Sequence, residues 1–406
     1  MSILHRVRTL AMLAVAGGIL AGGATSATYE DILSRPARYH LAGPSGTQAF
    51  DANGDIFGVA PYGGGNWSNE HRGAIYELIP PATGQSRWSV KTIYLFTAAT
   101  TPDIEPVSVT FLDNSGILYG TTSWGAIFTL TPPSSGDGPW TYQRLYTERG
   151  TAPNGLVMDA AGAIYGVVPF GDAANCGHVF KLSPPGAGGT AWTETVLHAF
   201  SKREGRLPGP ITLDPATGIL YGALNDVGAS QSDDGAVYAL SPLGSDAYAL
   251  KWVHRFSGSD GKYPAGGLLR DATGALYGVT GSGGANQLGT VYRLQPSAGG
   301  TWEFQDLHDF AGKDGYDPLA LTSDSAGTIY GVTASGGERY DPPRYHFGRG
   351  TVFALSQTGN GWSETVLHDF GHGESEPVNL ALSPFGALVG TVDRAPGGGS
   401  VFAVTP

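Results

Sequence analysis

Several basic and aromatic residues interrupt an otherwise repetitive sequence, and their types suit recognition of an acidic sugar. They are Trp67, His71, Arg72, Trp124, Arg339, Tyr340, Arg344, Tyr345, His346, Arg349 and Arg394. Aromatic faces stack on sugar rings, and the guanidinium fork of arginine binds a carboxylate through two hydrogen bonds. The chain as a whole is acidic, with a formal net charge of −12. Cationic groups on such a chain predict a site for a uronate-containing polysaccharide.

The same residues also contain the groups that a uronate lyase needs. β-Elimination requires a base for the C5 proton, a cation beside the carboxylate and an acid for the leaving oxygen. The candidate bases are His71 and His346, the candidate acids Tyr340 and Tyr345, and the candidate cations Arg72, Arg344 and Arg349. Paired carboxylates for hydrolysis are less distinct, because acidic residues are common in loops. A lyase is therefore favoured over a glycoside hydrolase, with a non-catalytic binding protein as the first hypothesis.

The sequence predicts no cofactor and no metal ligand. It contains no phosphate loop, no dinucleotide fingerprint and no zinc-like cluster of histidines or cysteines. The turns Asp260-Gly261 and Asp314-Gly315 could offer oxygens to Ca²⁺, although the dense ligand spacing of an EF-hand is missing. An acidic surface repels phosphate backbones, which argues against nucleic acid as a partner. His178 interrupts the repeat and is expected at a solvent-exposed rim.

These residues stand on a repeating framework of short strands. An aromatic–glycine pair recurs at intervals of about 55 residues, the length of one four-stranded propeller blade. The copies are Phe57-Gly58, Tyr119-Gly120, Tyr165-Gly166, Tyr221-Gly222, Tyr277-Gly278, Tyr330-Gly331 and the degenerate Val389-Gly390. A second motif, Gly-x-(Val/Ile)-(Tyr/Phe), begins at Gly73, Gly125, Gly177, Gly235, Gly289, Gly350 and Gly399. Seven copies predict seven blades, each with strands a to d in chain order.

Two further recurring residues are predicted to be structural. An aspartate ends strand a of six blades and precedes a glycine, as expected of a residue that forms the a–b turn. The six are Asp51, Asp113, Asp159, Asp214, Asp271 and Asp324. A histidine two residues before phenylalanine recurs in strand d, as in His254 and Phe256. Histidines in register with the fold are predicted to pack rather than to catalyse.

The last repeat lacks strand d, because the chain stops soon after Val401-Phe402-Ala403. The segment from Arg38 to Gly43 resembles the missing strand and is predicted to complete blade seven. We therefore predict an all-β, seven-bladed β-propeller of four-stranded antiparallel blades, the last closed by an N-terminal strand. The b–c and d–a loops then share one end of the ring, and the interrupting residues fall on consecutive blades six, seven, one and two.

Residues 1–27 have the pattern of an export signal. Arg6 and Arg8 precede an apolar stretch, and Thr25-Ser26-Ala27 offers the small residues of a cleavage site. We predict a secreted or periplasmic monomer, with no membrane insertion after cleavage and one domain over residues 28–406. Cys176 is the only cysteine, so no intrachain disulfide forms, and it is expected to be a small, partly buried residue.

The repeats resemble the GloVer tandem repeat family of exported bacterial proteins. The resemblance rests on residues 274–284 with 289–294, and on residues 256–264. It implies secretion and a propeller fold, but it brings no common reaction. The predicted function is ligand binding on the face with the b–c and d–a loops, with a polysaccharide, a cell-surface glycan or a protein as partner.

Overall fold

A computed structural model describes residues 27–33, 41, 43–63, 71–82, 85, 87–97, 103–134, 138–148, 151–171, 175–226, 234–341, 348–359, 361–371, 375–394 and 399–406, with only the backbone of His71, Ser375 and Arg394. Its regular elements are all β-strands, in seven antiparallel blades arranged in a ring. The predicted fold class is confirmed. Inner strands of neighbouring blades contact one another, as β19 and β23 do, so strand a is innermost.

The blades follow one another along the chain. Blade one contains β2 (Ser45–Phe50), β3 (Ile56–Ala60), β4 (His71–Ile79) and β5 (Ser89–Thr97); blade two contains β6 (Pro106–Phe111), β7 (Leu118–Thr122), β8 (Ala126–Thr131) and β9 (Thr141–Thr147). Blade three contains β10 (Asn154–Met158), β11 (Ile164–Val168), β12 (His178–Ser183) and β13 (Thr193–Ala199). In blade four the inner strand is split into β14 (Arg206–Pro208) and β15 (Thr212–Leu213), followed by β16 (Leu220–Asp226), β17 (Ala236–Gly244) and β18 (Ala247–Arg255).

The remaining blades repeat the pattern. Blade five contains β19 (Lys262–Arg270), β20 (Leu276–Ser282), β21 (Thr290–Pro296) and β22 (Trp302–Asp309). Blade six contains β23 (Tyr316–Ser323), β24 (Ile329–Ser335), β25 (Thr351–Thr358) and β26 (Gly361–Asp369). Blade seven contains β27 (Ser375–Leu382), β28 (Leu388–Arg394), β29 (Ser400–Thr405) and, from the other end of the chain, β1 (Thr28–Leu33).

The aromatic–glycine repeat reflects one packing contact inside each blade. Gly278 of strand b pairs with Tyr292 of strand c, and a Cβ at Gly278 would lie 2.3 Å from the Tyr292 hydroxyl oxygen. The degenerate copy behaves alike, since a Cβ at Gly390 would lie 2.5 Å from Cζ of Phe402. The buried ring of strand c thus lies across the strand-b glycine, a known way of covering a glycine in a sheet.

The recurring aspartates form the a–b turns, as predicted. Asp271 accepts hydrogen bonds at Oδ1 from the backbone N–H groups of Thr273 and Ala275, and at Oδ2 from the hydroxyl of Tyr277. The other five accept backbone N–H bonds in the same turn. Blade seven has Ser383 instead, whose hydroxyl accepts from the N–H of Ala387.

The recurring histidines fasten the d–a loops. Nε2 of His254 lies 2.9 Å from Asp260, and Nε2 of His308 lies 2.9 Å from Asp314. Each imidazole also contacts the edge of the following phenylalanine, with ring centroids 4.8 Å apart. The predicted packing role is confirmed. Both oxygens of each aspartate form hydrogen bonds within this part of the blade, so the aspartates have a structural role, and Ca²⁺ binding by these turns stays a prediction.

An N-terminal strand closes the ring, but the segment predicted for it was wrong. Strand β1 pairs with β29 from Thr28↔Thr405 to Leu33↔Val401, whereas Leu41 and Gly43, the described residues of the predicted segment, belong to no strand. The ring of Tyr29 stacks on His368 of blade six at 3.9 Å between centroids. Phe304 stacks in the same way on His254. Aromatic stacking on the preceding blade therefore selects β1.

Candidate functional site

The end of the ring that carries the b–c and d–a loops is called the loop face here, and several blade junctions on it repeat one contact. Between blades six and seven, the N–H of Glu376 donates to the carbonyl of Arg349 at 3.0 Å. The next residue, Pro377, packs on Gly350, where a Cβ would lie 2.6 Å from the proline Cδ. Glycine at the start of strand c therefore leaves room for the proline of the following blade.

This contact holds the residue before the proline in a strained conformation. Glu376 has φ 62°, a left-handed value that costs about 1–3 kcal/mol for a residue other than glycine. The same φ range occurs before the equivalent prolines at Glu105, Leu207, Tyr263 and Asp317. The hydrogen bond recurs in the pairs Glu105–Arg72, Tyr263–Asp234 and Asp317–Leu288. The side chains beside each junction are thus fixed in place on the loop face.

Two of these junctions carry an arginine, Arg72 in one and Arg349 in the other. Arg72 and Arg349 are half-buried, and neither guanidinium forms a hydrogen bond or an ion pair within the part of the chain that the structure describes. Other arginines are paired with carboxylates: Arg144 with Asp103, Arg206 with Asp226 and Arg270 with Asp214. Arg72 and Arg349 differ from these arginines, since neither has a carboxylate partner among the described residues.

Acidic and aromatic groups complete the junctions. Burial raises the pKa of Asp317, whose carboxylate lies over Gly281. Tyr263 is 43% exposed and follows Lys262, which forms an ion pair with Asp234 at 3.2 Å. Carboxylates accept hydrogen bonds from hydroxyl groups, while guanidinium groups donate to carboxylates. The loop face thus offers partners for both polar features of an acidic sugar.

The predicted site residues fall into distinct groups. Trp124 is 66% exposed in the b–c turn of blade two. Arg339 and Tyr340 lie in the b–c loop of blade six, where the ring of Tyr340 covers Gly312 of the preceding d–a loop. The backbone of His71 pairs with Thr97. Trp67, Arg344, Tyr345 and His346 lie outside the described residues, so the catalytic roles remain predictions.

The structure brings two predicted arginines to one inner strand. The carbonyl of Arg349 accepts from the N–H of Glu376, and the backbone of Arg394 pairs with the adjacent Ser375. Glu105 was missed by the sequence interpretation, and Glu376 was weighed only as a loop carboxylate for hydrolysis, not as a residue of a blade junction. Their signal was the recurring proline at the start of strand a, preceded by glutamate, tyrosine or aspartate.

His178 does not lie at an exposed rim, and that prediction was wrong. Its side chain is only 8% exposed, because it begins strand c of blade three beneath the d–a loop of blade two. It faces Glu194, and this contact lowers the pKa of Glu194 although burial opposes the shift. Cys176, two residues earlier, is buried and lies outside any disulfide.

The family model of the Gloeobacter/Verrucomicrobia repeat matches residues 211–406, which span most of blade four and the described parts of blades five to seven. These residues belong to the Gloeobacter/Verrucomicrobia repeat family. The match bears out the resemblance inferred from the repeats. No curated protein sequence matches the chain.

Solved structures share the fold at low sequence identity. The extracellular domain of a one-component system from B. thetaiotaomicron is 12% identical, with 92% of this chain and 39% of that chain covered at a TM-score of 0.54. A chain of a mitotic checkpoint complex is 13% identical, with 96% and 98% covered at 0.53. A protein described as a gluconolactonase is 14% identical, with 93% and 92% covered at 0.43, too low to support an argument. These similarities show the fold alone.

The described residues were also compared with the length and hydropathy of a membrane-spanning helix. None of them forms a helix long and apolar enough to span a bilayer.

Proposed function

We propose that this protein is an exported, non-catalytic propeller that binds an acidic polysaccharide on its loop face. The observation that carries the proposal is the pair of half-buried arginines, Arg72 and Arg349, whose guanidinium groups lack partners among the described residues. A guanidinium that is partly removed from water gains most from a carboxylate that it can bind through two parallel hydrogen bonds.

The spacing of these arginines favours a polymer over a single sugar. They lie at equivalent positions of two junctions, Arg349 between blades six and seven and Arg72 between blades one and two, so a ligand chain that follows the loop face would contact both. The polymer would therefore carry carboxylates at repeated intervals, as a polyuronate does. Trp124 on the neighbouring blade two, 66% exposed, supplies an aromatic face for a sugar ring.

Export is part of the proposal and rests on the sequence of residues 1–27. Its short basic start, apolar stretch and small residues fit a cleaved signal, which would deliver the mature chain to the periplasm or the medium. Polysaccharides that carry uronates are accessible in those compartments, which agrees with the proposed ligand.

Binding of the mature chain to polygalacturonate, alginate and neutral glucans tests the proposal by calorimetry. We expect the acidic polymers to bind, and Arg72→Gln or Arg349→Gln to weaken binding by about 10- to 100-fold, the effect of losing one charge-assisted hydrogen-bonded pair. The matched control is Arg87→Gln, since Arg87 is exposed in the c–d connection at the opposite end of the ring. Equal binding by all three variants would overturn the proposal, as would no binding of any acidic polymer.

The same samples test the lyase alternative. Elimination from a uronate creates a carbon–carbon double bond that absorbs in the ultraviolet, so catalysis would appear as rising absorbance. Absorbance that grows in the wild type and is lost in His71→Ala or His346→Ala would make the protein a lyase and refute the non-catalytic assignment. Binding without absorbance supports it.

A further inference from the structure

The junction between blades two and three contains a group of polar side chains that the repeat does not require. His178 begins strand c of blade three, where the other blades have alanine, threonine or serine. Glu194 of β13 occupies the strand-d position at which Tyr142 and Phe304 stack on the preceding blade. Glu148 approaches from the d–a loop of blade two. His178 thus departs from the repeat, and beside it a charged residue occupies a position that is aromatic in blades two, five and seven.

The facing atoms of His178 and Glu194 are buried without hydrogen-bond partners. His178 Nε2 lies 3.7 Å from Glu194 Oε1, which is too long for a hydrogen bond, and neither atom has another partner. The second oxygen of Glu194 accepts from the hydroxyl of Tyr146 at 2.7 Å. Buried polar atoms in folded proteins nearly always have a partner, so a pair facing across a gap indicates a missing component.

The gap has the dimensions of a cation site. One ligand atom from each of Glu148, His178 and Glu194 lies within 4.8 Å of the others. Two ligands bound tetrahedrally to zinc lie roughly 3.3–3.6 Å apart, which is close to the distance between Nε2 and Oε1. Glu148 is half-buried, so the group can be reached from the loop face.

We propose that this group binds a divalent first-row transition metal, with His178 Nε2 and carboxylate oxygens of Glu148 and Glu194 as ligands. The imidazole nitrogen favours zinc and its neighbours, because magnesium and calcium prefer sites made of oxygen alone. Tyr146 holds Glu194 in position as an outer hydrogen-bond donor, the arrangement common around protein-bound metals.

Contacts with Gly125 hold the backbone of Glu148 in place without a bound metal. Its N–H donates to the carbonyl of Gly125 at 2.8 Å, and its own carbonyl packs so closely on Gly125 that no side chain fits there. A metal at this place joins the d–a loop of blade two to strands c and d of blade three. It would take the place of the aromatic stack that links blades one and two, four and five, and six and seven.

A related group in the same chain provides a comparison. His308, Asp314 and Glu364 also converge at a blade junction, but His308 is already bonded to Asp314 at 2.9 Å. Nε2 of His308 therefore has a hydrogen-bond partner, whereas Nε2 of His178 has none. We expect zinc to select the His178 group.

Calorimetric titration of the metal-free mature protein with Zn²⁺ tests the proposal, and the absorption spectrum of bound Co²⁺ reports the ligands. We expect His178→Ala to abolish the site and Tyr146→Phe to weaken it by roughly 10-fold, as losing an outer-shell partner does. The control variant His308→Gln should retain the wild-type affinity and stoichiometry. Absence of zinc binding in the wild type, or unchanged binding in His178→Ala, would overturn the assignment.

Stability measurements keep the test independent of folding defects. Alanine stands at the equivalent position in blades one, two and four, so the metal-free His178→Ala variant should fold and match or exceed the stability of the metal-free wild type. Zinc should raise the urea midpoint of the wild type and leave that of the variant unchanged. An equal rise in both proteins would place the metal elsewhere.

Discussion

Replacing Gly278 by alanine tests whether the aromatic–glycine repeat is a packing requirement. The backbone at Gly278 is not left-handed, so alanine fits it and gains about 0.5–1 kcal/mol over glycine in a strand. The new Cβ, however, would lie 2.3 Å from the hydroxyl oxygen and 2.5 Å from Cζ of Tyr292. Tyr292 is fully buried, so its ring has to retreat by about 1 Å into a closely packed core.

The gain in strand propensity and the cost of overpacking at Gly278 differ in size. Overpacking of this kind costs about 1–3 kcal/mol, so subtracting the propensity gain leaves a net loss of about 0–2.5 kcal/mol. The matched control is Gly361→Ala, in strand β26, where the nearest atom to a new Cβ is a carbonyl oxygen at 4.0 Å. The control should be neutral or gain about 0.5 kcal/mol. Urea unfolding followed by circular dichroism measures both.

A double-mutant cycle identifies the ring as the cause. In a Tyr292→Leu background the obstructing ring is gone, so Gly278→Ala should cost little and the coupling energy should reach about 1–3 kcal/mol. If Gly278→Ala is as stable as the Gly361→Ala control, or costs the same in both backgrounds, the proposed contact does not govern the repeat.

Three further predictions concern the junctions and the titrating groups. Gly289→Ala should cost more than Gly278→Ala in the same urea assay, because Gly289 has φ 97° and a Cβ there would lie 2.6 Å from Pro318. Burial raises the pKa of Asp271, but the hydrogen bonds that the carboxylate accepts lower it by more. The ionised carboxylate therefore stabilises the fold above about pH 4, and this stabilisation is lost below that pH. Asp271→Asn should therefore flatten the fall of the urea midpoint between pH 5 and 3, and an unchanged slope would contradict this. Burial raises the pKa of Glu364 from 4.5 to about 7, so ionisation destabilises the fold progressively between those values, and Glu364→Gln should gain stability over the wild type at pH 8 but not at pH 4.

Repetition explains why the sequence predicted the blades so well. All seven blades cover a glycine with an aromatic ring and six of them cap a turn with an aspartate, so near-identical copies reinforce one signal. Gly390 opposite Phe402 shows that even the degenerate copy keeps the contact. Features set by local geometry were therefore visible in the residues themselves.

The closing strand and the site depend on contacts that the repeat does not encode. The predicted segment contains Tyr39 and resembles strand d in its residues, but strand β1 was chosen by the stack of Tyr29 on His368, a contact between distant parts of the chain. Glu376 looks like an ordinary loop acid until its hydrogen bond to Arg349 places it at a junction. The sequence did not reveal the proposed metal site, because its ligands come from two blades and have no regular spacing.

The pairing of β1 with β29 also affects the order in which the blades fold. Thr28 is synthesised long before Thr405, so blade seven cannot be completed until Thr405 has been made. Until then both partners have open edges, and the loop to be closed spans nearly the whole chain, which makes this step slow on topological grounds. The final contact is thus a late kinetic event that converts a row of blades into a ring. In a circular permutant with its ends in an exposed c–d loop, β1 and β29 would be close in sequence and blade seven would not depend on the long loop closure. Comparing its refolding rate with that of the wild type would measure how much this closure slows folding.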